Sequence, residues 1–484
     1  MDFPIALDTA SQEPLFIQLS KALKERIIAG TLSAGTPLPP TRELASSLGV
    51  ARGTVVKAYE DLIAQGYLES LTGSSTFVSK RGQFERTFQN DIERRNPSPP
   101  AAPARISADA EKLMQMALSA GLAGNQKYLN YGAPPSEELP LHQWKDTLTK
   151  QYRQLLPHHF DAAPETLGQY KLRVEIASYL ARTKGLNCQP EQVIVFQGSQ
   201  QALTYIAKIL IDSGDTVVVE NPGYGGARDS LTDRGAKLLP VDIDIDGIQV
   251  DQFISQPAKL AYVTPSYHDP TGTILSLERR KQLLEWANRH DSYIIEDGWD
   301  SDFSYINPPL PSLQGMDKNE RVIYVYSFWK LLYPLTTAGC AVVPPSLVPV
   351  FERVKFMSER QFPILEHYAL AEFLRSGALA LHVKKTKPHY EKRRKALTGA
   401  LFSLFKTDLA VPRQSAGLHL CIRVSQTLLE RGLIQAAQEA GLPLTSTAPY
   451  FVFGAKSNEF LLPFAGHSVD EIEHKIAALA HLAH

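Results

Sequence analysis

The sequence predicts an α/β protein in two parts: a small helical head closed by a β-hairpin, then a large domain on a mostly parallel, doubly covered sheet. Three observations carry this expectation. Up to about residue 80, apolar residues recur mostly at helical spacing and then give way to a hairpin pattern. From about residue 126, short aliphatic runs alternate with helical ones, as in a sheet with helices on both faces. Between the two, Asn96-Pro-Ser-Pro-Pro-Ala-Ala-Pro-Ala is stiff, extended and hard to bury. The chain therefore divides into a head (1–80), a linker (81–125) and a large domain (126–484).

Composition bounds the function. The 484 residues are 44% hydrophobic and 21% charged with a net charge of −1, ordinary for a soluble globular protein. Near-neutral charge argues against a general nucleic-acid binder, so DNA contact has to come from a local patch. Cys188, Cys340 and Cys421 are scattered and form no CxxC pair, which argues against a disulfide scaffold or zinc site and fits a reducing cytoplasm. No apolar run approaches the ~20 residues of a membrane span. Met1-Asp-Phe-Pro-Ile lacks the basic start and apolar core of a signal peptide.

In the head, Leu15, Ile17, Leu19, Leu23, Ile27 and Ile28 predict a first helix ended by Gly30. Gly35, Pro37, Pro39 and Pro40 make an extended loop. Thr41 to Leu48 reads as a short helix capped by Thr41 and stopped by Gly49. Arg52 to Gln65 follows after a tight turn, with an apolar face of Val55, Val56, Tyr59, Leu62 and Ile63. Arg52, Gly53, Thr54 and Lys57 stay free for an outward partner. Tyr67 to Leu71 and Thr76 to Ser79 flank Thr-Gly-Ser-Ser, the turn of a wing. Helix, tight turn, helix, β-ribbon is the winged helix-turn-helix order, whose second helix enters the major groove.

Residues 12 to 79 resemble the GntR-type DNA-binding domain throughout. The resemblance rests on Leu38-Pro-Pro-Thr-Arg-Glu-Leu-Ala, Gly49-Val, Thr54-Val-Val, Tyr59-Glu-Asp-Leu, Gly66-Tyr-Leu and Gly73-Ser-Ser-Thr-Phe-Val. It implies a double-stranded DNA operator contacted by Arg42, Arg52, Thr54 and Lys57, with Gly73 at the wing tip. Ala51 stands where the family usually has a capping Ser, and Ser75 replaces a common wing Gly. Charge alone does not reveal this domain: to residue 80, seven Lys and Arg face eight Asp and Glu.

In the large domain, the strand-like runs are Gln192-Val-Ile-Val-Phe, Thr216-Val-Val-Val-Glu, Leu260-Ala-Tyr-Val-Thr, Tyr293-Ile-Ile-Glu and Val322-Ile-Tyr-Val. Helices such as Leu277 to His290 lie between them, and Leu113 to Leu122 reads as a helix leading into the domain. Such a sheet binds ligands at its strand C-termini. Gly198-Ser-Gln opens a helix after the first strand, where backbone N–H groups and Ser199 suit an anion. One strand delivers Ser327 and then Lys330 into a turn; another ends at Asp297. A lysine and a carboxylate at the ends of neighbouring buried strands suit pyridoxal phosphate (PLP). The amine forms a Schiff base, and the carboxylate keeps the pyridine nitrogen protonated.

The order of these pieces resembles the fold type I aminotransferases, a PLP-dependent α/β fold with a smaller α+β subdomain. With its head, the whole chain is similar to MocR-type transcriptional regulators. The matching motifs are Gly168-Gln-Tyr-Lys-Leu-Arg, Gln197-Gly-Ser-Gln-Gln-Ala-Leu, Glu220-Asn-Pro-Gly-Tyr-Gly-Gly-Ala-Arg, Thr264-Pro-Ser-Tyr-His-Asp-Pro-Thr-Gly, Ile295-Glu-Asp and Ser327-Phe-Trp-Lys. The resemblance implies Lys330 as Schiff-base lysine and Asp297 as pyridinium partner. Ser199, Gln200 and Ser327 hold the phosphate, Tyr224 stacks on the ring, and Asp269 joins the cofactor-binding set. Four positions depart from the family pattern. Trp299 replaces a tyrosine that bonds the cofactor's phenolic oxygen, and Thr337 replaces a phosphate-binding arginine. Leu461 falls where an arginine grips an amino-acid carboxylate, and Ala163 where a tyrosine is expected.

These readings imply a cytoplasmic, homodimeric regulator that senses PLP, or an amine or amino acid reacting with it. No metal and no catalytic residue is expected. The alternatives are a working aminotransferase with a DNA-binding head, or a regulator whose degenerate site no longer binds PLP.

Overall fold

A computed structural model describes residues 5–71, 75–81, 105–115, 134–155, 165–305, 310–359, 362–411 and 417–482. The chain forms two compact units, Met1–Glu111 and Lys112–His484. The linker expected over 81–125 lies mostly outside the described residues. So does most of the helix expected from Leu113 to Leu122, where the described helix is Ala108–Gln115.

In the first unit, α1 (Leu15–Ala29) leads through the short strand β1 (Pro37–Leu38) to α2 (Thr41–Leu48) and α3 (Arg52–Ala64). The strands β2 (Leu68–Leu71) and β3 (Ser75–Val78) pair antiparallel, and β1 adds to β3 in the order β1-β3-β2. Leu19, Leu23, Leu44, Val55, Leu62 and Leu68 close the core, and each such burial is worth about 1.5–3 kcal/mol. Gly30 and Gly49 end α1 and α2 in the left-handed conformation, at φ 79° and 63°.

Two local expectations need correction. Thr41 is not the cap of α2: Pro40 holds the extended backbone that enters the helix, so Thr41 is already its first residue, and no side chain caps it. On α3, Ile63 faces outward at 37% exposed, and the buried stripe is Val55, Ala58, Tyr59 and Leu62. That stripe follows the i, i+3, i+4, i+7 spacing of one helix face, and Ile63, at i+8, stands at its edge in the last turn of the helix.

The second unit is built on an eight-stranded sheet of β4 (Val193–Phe196), β5 (Thr216–Asn221), β6 (Lys237–Asp244), β7 (Gly247–Ile248), β8 (Leu260–Val263), β9 (Tyr293–Asp297), β10 (Val322–Ser327) and β11 (Gly339–Val342). The order is β4-β11-β10-β9-β8-β5-β6-β7. The run β10-β9-β8-β5-β6 is parallel throughout, while β11 runs antiparallel to both its neighbours. Side chains alternate between two covered faces. Val217 and Val219 of β5 join the core beneath helix Ser199–Leu210, and Val218 joins the core beneath helix Leu277–Arg289. Both faces are dry, which is why these strands read as unbroken aliphatic runs.

A second, four-stranded antiparallel sheet follows: β12 (Leu409–Ala410), β13 (His419–Val424), β14 (Thr445–Ser446) and β15 (Glu459–Pro463), in the order β12-β13-β15-β14. Its Leu420, Ile422, Phe460 and Leu462 face a core shared with the long helix Ala378–Phe405. The opposite face presents His419, Cys421 and Leu461, with Cys421 paired across to Leu461. Among the described residues no helix is long and apolar enough to cross a membrane.

Candidate functional site

The parallel strands β5, β8, β9 and β10 all end on one edge of the large sheet, where the predicted cofactor residues collect. Past β10, Phe328 leads into the short helix Trp329–Leu332, whose second residue is Lys330, of which only 8% is exposed. Its Nζ lies 3.9 Å from Asp300 Oδ2, 4.9 Å from the Trp299 ring centre and 5.5 Å from that of Trp329. Burial pulls the Lys330 ammonium below its usual range, while Asp300 and Asp269 push it back up.

Asp297, the last residue of β9, is 3% exposed. Its Oδ2 accepts from Tyr262 Oη at 2.9 Å and its Oδ1 from the Trp299 backbone N–H at 3.0 Å. Burial raises its carboxyl to about 6 against the pull of those two bonds. Asp300 is likewise raised to about 6 by burial, with Lys330 opposing. Its φ of 51° is left-handed, an uncommon conformation for a residue with a Cβ and of a kind that clusters at functional sites.

Trp299 takes a definite role in place of the expected phenol. Its indole N–H donates to Tyr267 O at 3.0 Å, and its ring stacks on His419 at 6.2 Å between ring centres. His419 Nε2 sits 3.4 Å from Tyr267 Oη and 3.2 Å from Pro270 O, and burial drops the imidazole to about 3. At neutral pH the small-sheet face therefore offers a neutral histidine, a thiol raised to about 12 (Cys421) and Leu461.

Past the end of β4, on the β11 side of β10, Gly198 (φ 88°) caps the helix that Ser199 opens. The first-turn N–H groups have no partner within that helix and suit an anion. Thr337 lies beside this point, since a Cβ on Gly198 would meet Thr337 O at 3.7 Å. Gln200 differs from expectation: its side chain is engaged by the protein itself. Its Oε1 accepts from Tyr224 Oη at 2.9 Å, and its Nε2 donates to Gly226 O and Ser230 Oγ, each at 2.9 Å. Its backbone N–H remains in the first turn. Ser327 Oγ accepts from the Trp329 N–H at 3.2 Å.

Beneath these loops Glu220, at the end of β5, accepts from Thr264 N at 3.0 Å and Thr264 Oγ1 at 2.7 Å. This joins the loop carrying Tyr224 to the loop carrying Asp269. A strap from the small sheet reaches the same place. Gly223 N–H donates to Tyr450 O (2.9 Å), Arg228 Nη2 to Pro449 O (2.6 Å), Val452 N–H to Asn221 Oδ1 (2.9 Å) and Asn221 Nδ2 to Phe453 O (3.2 Å).

In the head, Arg42, Arg52 and Lys57 are exposed and Thr54 is half-buried. Arg52 Nε donates to Thr41 Oγ1 at 3.4 Å, which joins the starts of α2 and α3. Gly73 lies outside the described residues, as does Ala163. Sequence reasoning missed Asp300, His419, Tyr262 and Tyr267. It quoted Arg228 only as the end of a motif and gave it no role.

Residues 17–78 match the family of bacterial regulatory proteins, gntR family, and residues 128–479 match aminotransferase class I and II. The chain is 34% identical over 466 residues to the probable rhizopine catabolism regulatory protein MocR of Rhizobium meliloti, covering 96% of this chain and 92% of that protein. It is 27% identical to the pyridoxine biosynthesis transcriptional regulator PdxR of Corynebacterium glutamicum, covering 99% and 98%. Among solved structures, a multiple substrate aminotransferase from Thermococcus profundus superposes with a TM-score of 0.65 at 25% identity, covering 80% of this chain and 96% of that one. A kynurenine aminotransferase from Pyrococcus horikoshii does so at 0.66 and 22% identity, covering 82% and 98%.

Proposed function

The chain belongs to the MocR-type regulators, a GntR-family head on a class I and II aminotransferase body, and from that premise we propose that its body holds PLP on Lys330 and adjusts DNA binding to what reacts there. It is a DNA-binding transcriptional regulator with an aminotransferase-like domain. The observation that carries the cofactor reading is the convergence at one sheet edge of a buried lysine, a buried carboxylate raised to about 6 and an open helix N-terminus. A relative named for regulation of pyridoxine biosynthesis supports a link to this vitamer.

The donor set fits the group. Lys330 would carry it, Asp297 would face the ring nitrogen, and the Ser199 and Gln200 N–H groups with Ser327 would hold the phosphate. Tyr224 would cover the ring, with Asp269 beside it. When bound, PLP supplies an aldehyde that condenses with amines and a ring that draws electrons. The protein's own part is to keep Lys330 Nζ dry, which favours its neutral, nucleophilic form. Asp300 lies within 3.9 Å to balance the charge when that nitrogen is protonated. Tyr262 and the Trp299 N–H orient Asp297 from two sides.

We read the body as regulatory rather than enzymatic, because Thr337 and Leu461 supply no cation for phosphate or carboxylate. Sustained turnover in a screen of amino donors and keto acids would establish the enzyme instead. The protein is proposed to act in the cytoplasm as a homodimer, since two linked heads gain affinity through effective concentration. Sedimentation at low micromolar concentration checks this: a stable monomer with full operator affinity would exclude it. The functional test is operator binding with and without PLP, then with amines added. The reading requires a visible absorbance that borohydride fixes onto Lys330, and a change in DNA affinity. Unchanged affinity under every addition removes the sensor role.

A further inference from the structure

We infer that Asp300, Trp299 and Trp329 form a cage for the Lys330 ammonium, which receives that nitrogen when an incoming amine displaces it from the cofactor. The inference rests on the reading that Lys330 carries PLP. The Asp300 side chain is wholly buried, and Lys330 Nζ lies 3.9 Å from its Oδ2. Two indoles complete the enclosure, their ring centres 4.9 Å (Trp299) and 5.5 Å (Trp329) from the same nitrogen. A carboxylate beside two aromatic faces suits an ammonium: charge attracts it on one side and the ring quadrupoles on the others.

Each wall is fixed by contacts of its own. Trp299 donates its backbone N–H to Asp297 and its indole N–H to Tyr267 O, and its ring lies against His419, which burial keeps neutral. Trp329 packs on Tyr333 at 5.2 Å between ring centres. The loop carrying Asp300 is pinned on both sides. Ser301 Oγ donates to Gly298 O at 2.6 Å, and Asp302 accepts from Tyr179 Oη (3.0 Å), Tyr326 Oη (2.7 Å) and Lys184 Nζ (2.8 Å). Among the described residues neither Asp300 oxygen accepts a hydrogen bond, although the Leu418 N–H is near enough to favour its charge. A buried carboxylate left so open is costly unless a cation meets it, and Lys330 is the cation at hand.

The exchange balances without a co-reactant. The nitrogen of a ligand ammonium forms a new C=N bond to the carbon that Lys330 holds, and the C=N bond from that carbon to Nζ breaks. Two of the ligand's N–H protons end on Nζ. Total charge is unchanged, and Lys330 departs as an ammonium that the cage takes up. The cage thereby draws the exchange towards the ligand-bound form.

The test uses the full chain loaded with PLP, with methylamine as the probe at one fixed pH. Borohydride fixes PLP to the chain only where Lys330 still holds it, and mass spectrometry of the intact chain measures that fraction. The methylamine concentration that halves the fraction reports the exchange. Asp300→Asn should raise it about 10- to 100-fold. Trp329→Leu should raise it about 3- to 30-fold, and Trp299→Phe, which keeps a ring, should raise it less than Trp299→Leu.

An unchanged or lower concentration in Asp300→Asn overturns the inference, because the carboxylate would then serve the lysine-bound form at least as well. If that variant fails to fold or takes up no PLP, Trp329→Leu decides, and an unchanged concentration there overturns the inference. Wild type that takes up no PLP defeats the function proposed above together with this inference. PLP uptake with displacement insensitive to these variants defeats this inference alone.

Discussion

Glu220→Gln isolates one buried proton in the framework of the site. Glu220 is 2% exposed, and burial raises its carboxyl to about 8, against the two bonds from Thr264. In the unfolded chain a glutamate titrates at about 4.3. Between pH 6.5 and 8 the unfolded state has therefore lost this proton while the folded state keeps most of it. Stability from this group is complete below the unfolded value and is lost as pH rises through the folded one. With half-titration reached at the upper limit, the loss across that window is about 1.5 kcal/mol.

His268 and His419, both lowered to about 3 by burial, act with the opposite sign. Their contributions are present above the unfolded imidazole value of about 6.5 and are lost as pH falls, beginning at the lower limit of the window, but both histidines are common to wild type and variant and cancel in the difference. Lys330 is common to both proteins and cancels in the difference. The assay is urea unfolding followed by tryptophan fluorescence. Trp144, Trp286, Trp299 and Trp329 all lie in the second unit, so the signal reports the body and not the head. Wild type should lose about 1.5 kcal/mol more than Glu220→Gln between the two pH values. Parallel stability curves would refute the placement of the proton on Glu220.

Three further outcomes are expected. Lys330→Ala should abolish the PLP-dependent absorbance and leave the fold and basal DNA binding intact; absorbance retained in the variant would remove Lys330 from its role. Thr337→Arg should tighten PLP binding by supplying a charge-assisted bond worth about 1.5–3 kcal/mol beside the helix N-terminus, read from the PLP dissociation constant. No gain in a folded variant would contradict the position given to the phosphate. Arg52→Ala should weaken operator binding by about 1–3 kcal/mol, with relaxed specificity at one base pair, if Arg52 reads a guanine. A uniform loss across sequences would mark a phosphate contact, and no loss would mean that α3 stays out of the groove.

Much of this organisation was legible because local pattern and tertiary place coincide. The runs at 193–196, 216–221, 260–263, 293–297 and 322–327 are buried on both faces, so each appears in the sequence as an aliphatic block bounded by polar turns. Lys330 and Asp297 stand at the ends of such blocks, where a sheet of this kind collects its chemistry. What stayed hidden depends on contacts that sequence spacing does not encode. His419 meets Tyr267 across 152 residues, and Arg228 meets Pro449 across 221. Asp300 stands three residues past Asp297, yet its approach to Lys330 depends on a left-handed backbone that its residue type does not announce. At Thr41 the pattern misled, because a threonine before an apolar run is an ordinary cap signal and the preceding proline had already set the entry.

The four hydrogen bonds between Gly223, Asn221 and Arg228 and the segment 449–453 act as a latch. At about 0.5–1.5 kcal/mol each, they would hold a swing of the small sheet that broke all four to something on the order of one molecule in a thousand. Arg228 is one of the four teeth. A shift of the Tyr224 loop that drew its guanidinium off Pro449 would shorten the latch by one bond and raise the released population about fivefold, at roughly 1 kcal/mol for that bond. Chemistry at Lys330 and the posture of the small sheet would then be readings of a single equilibrium, with Tyr224 on the same loop as the latch.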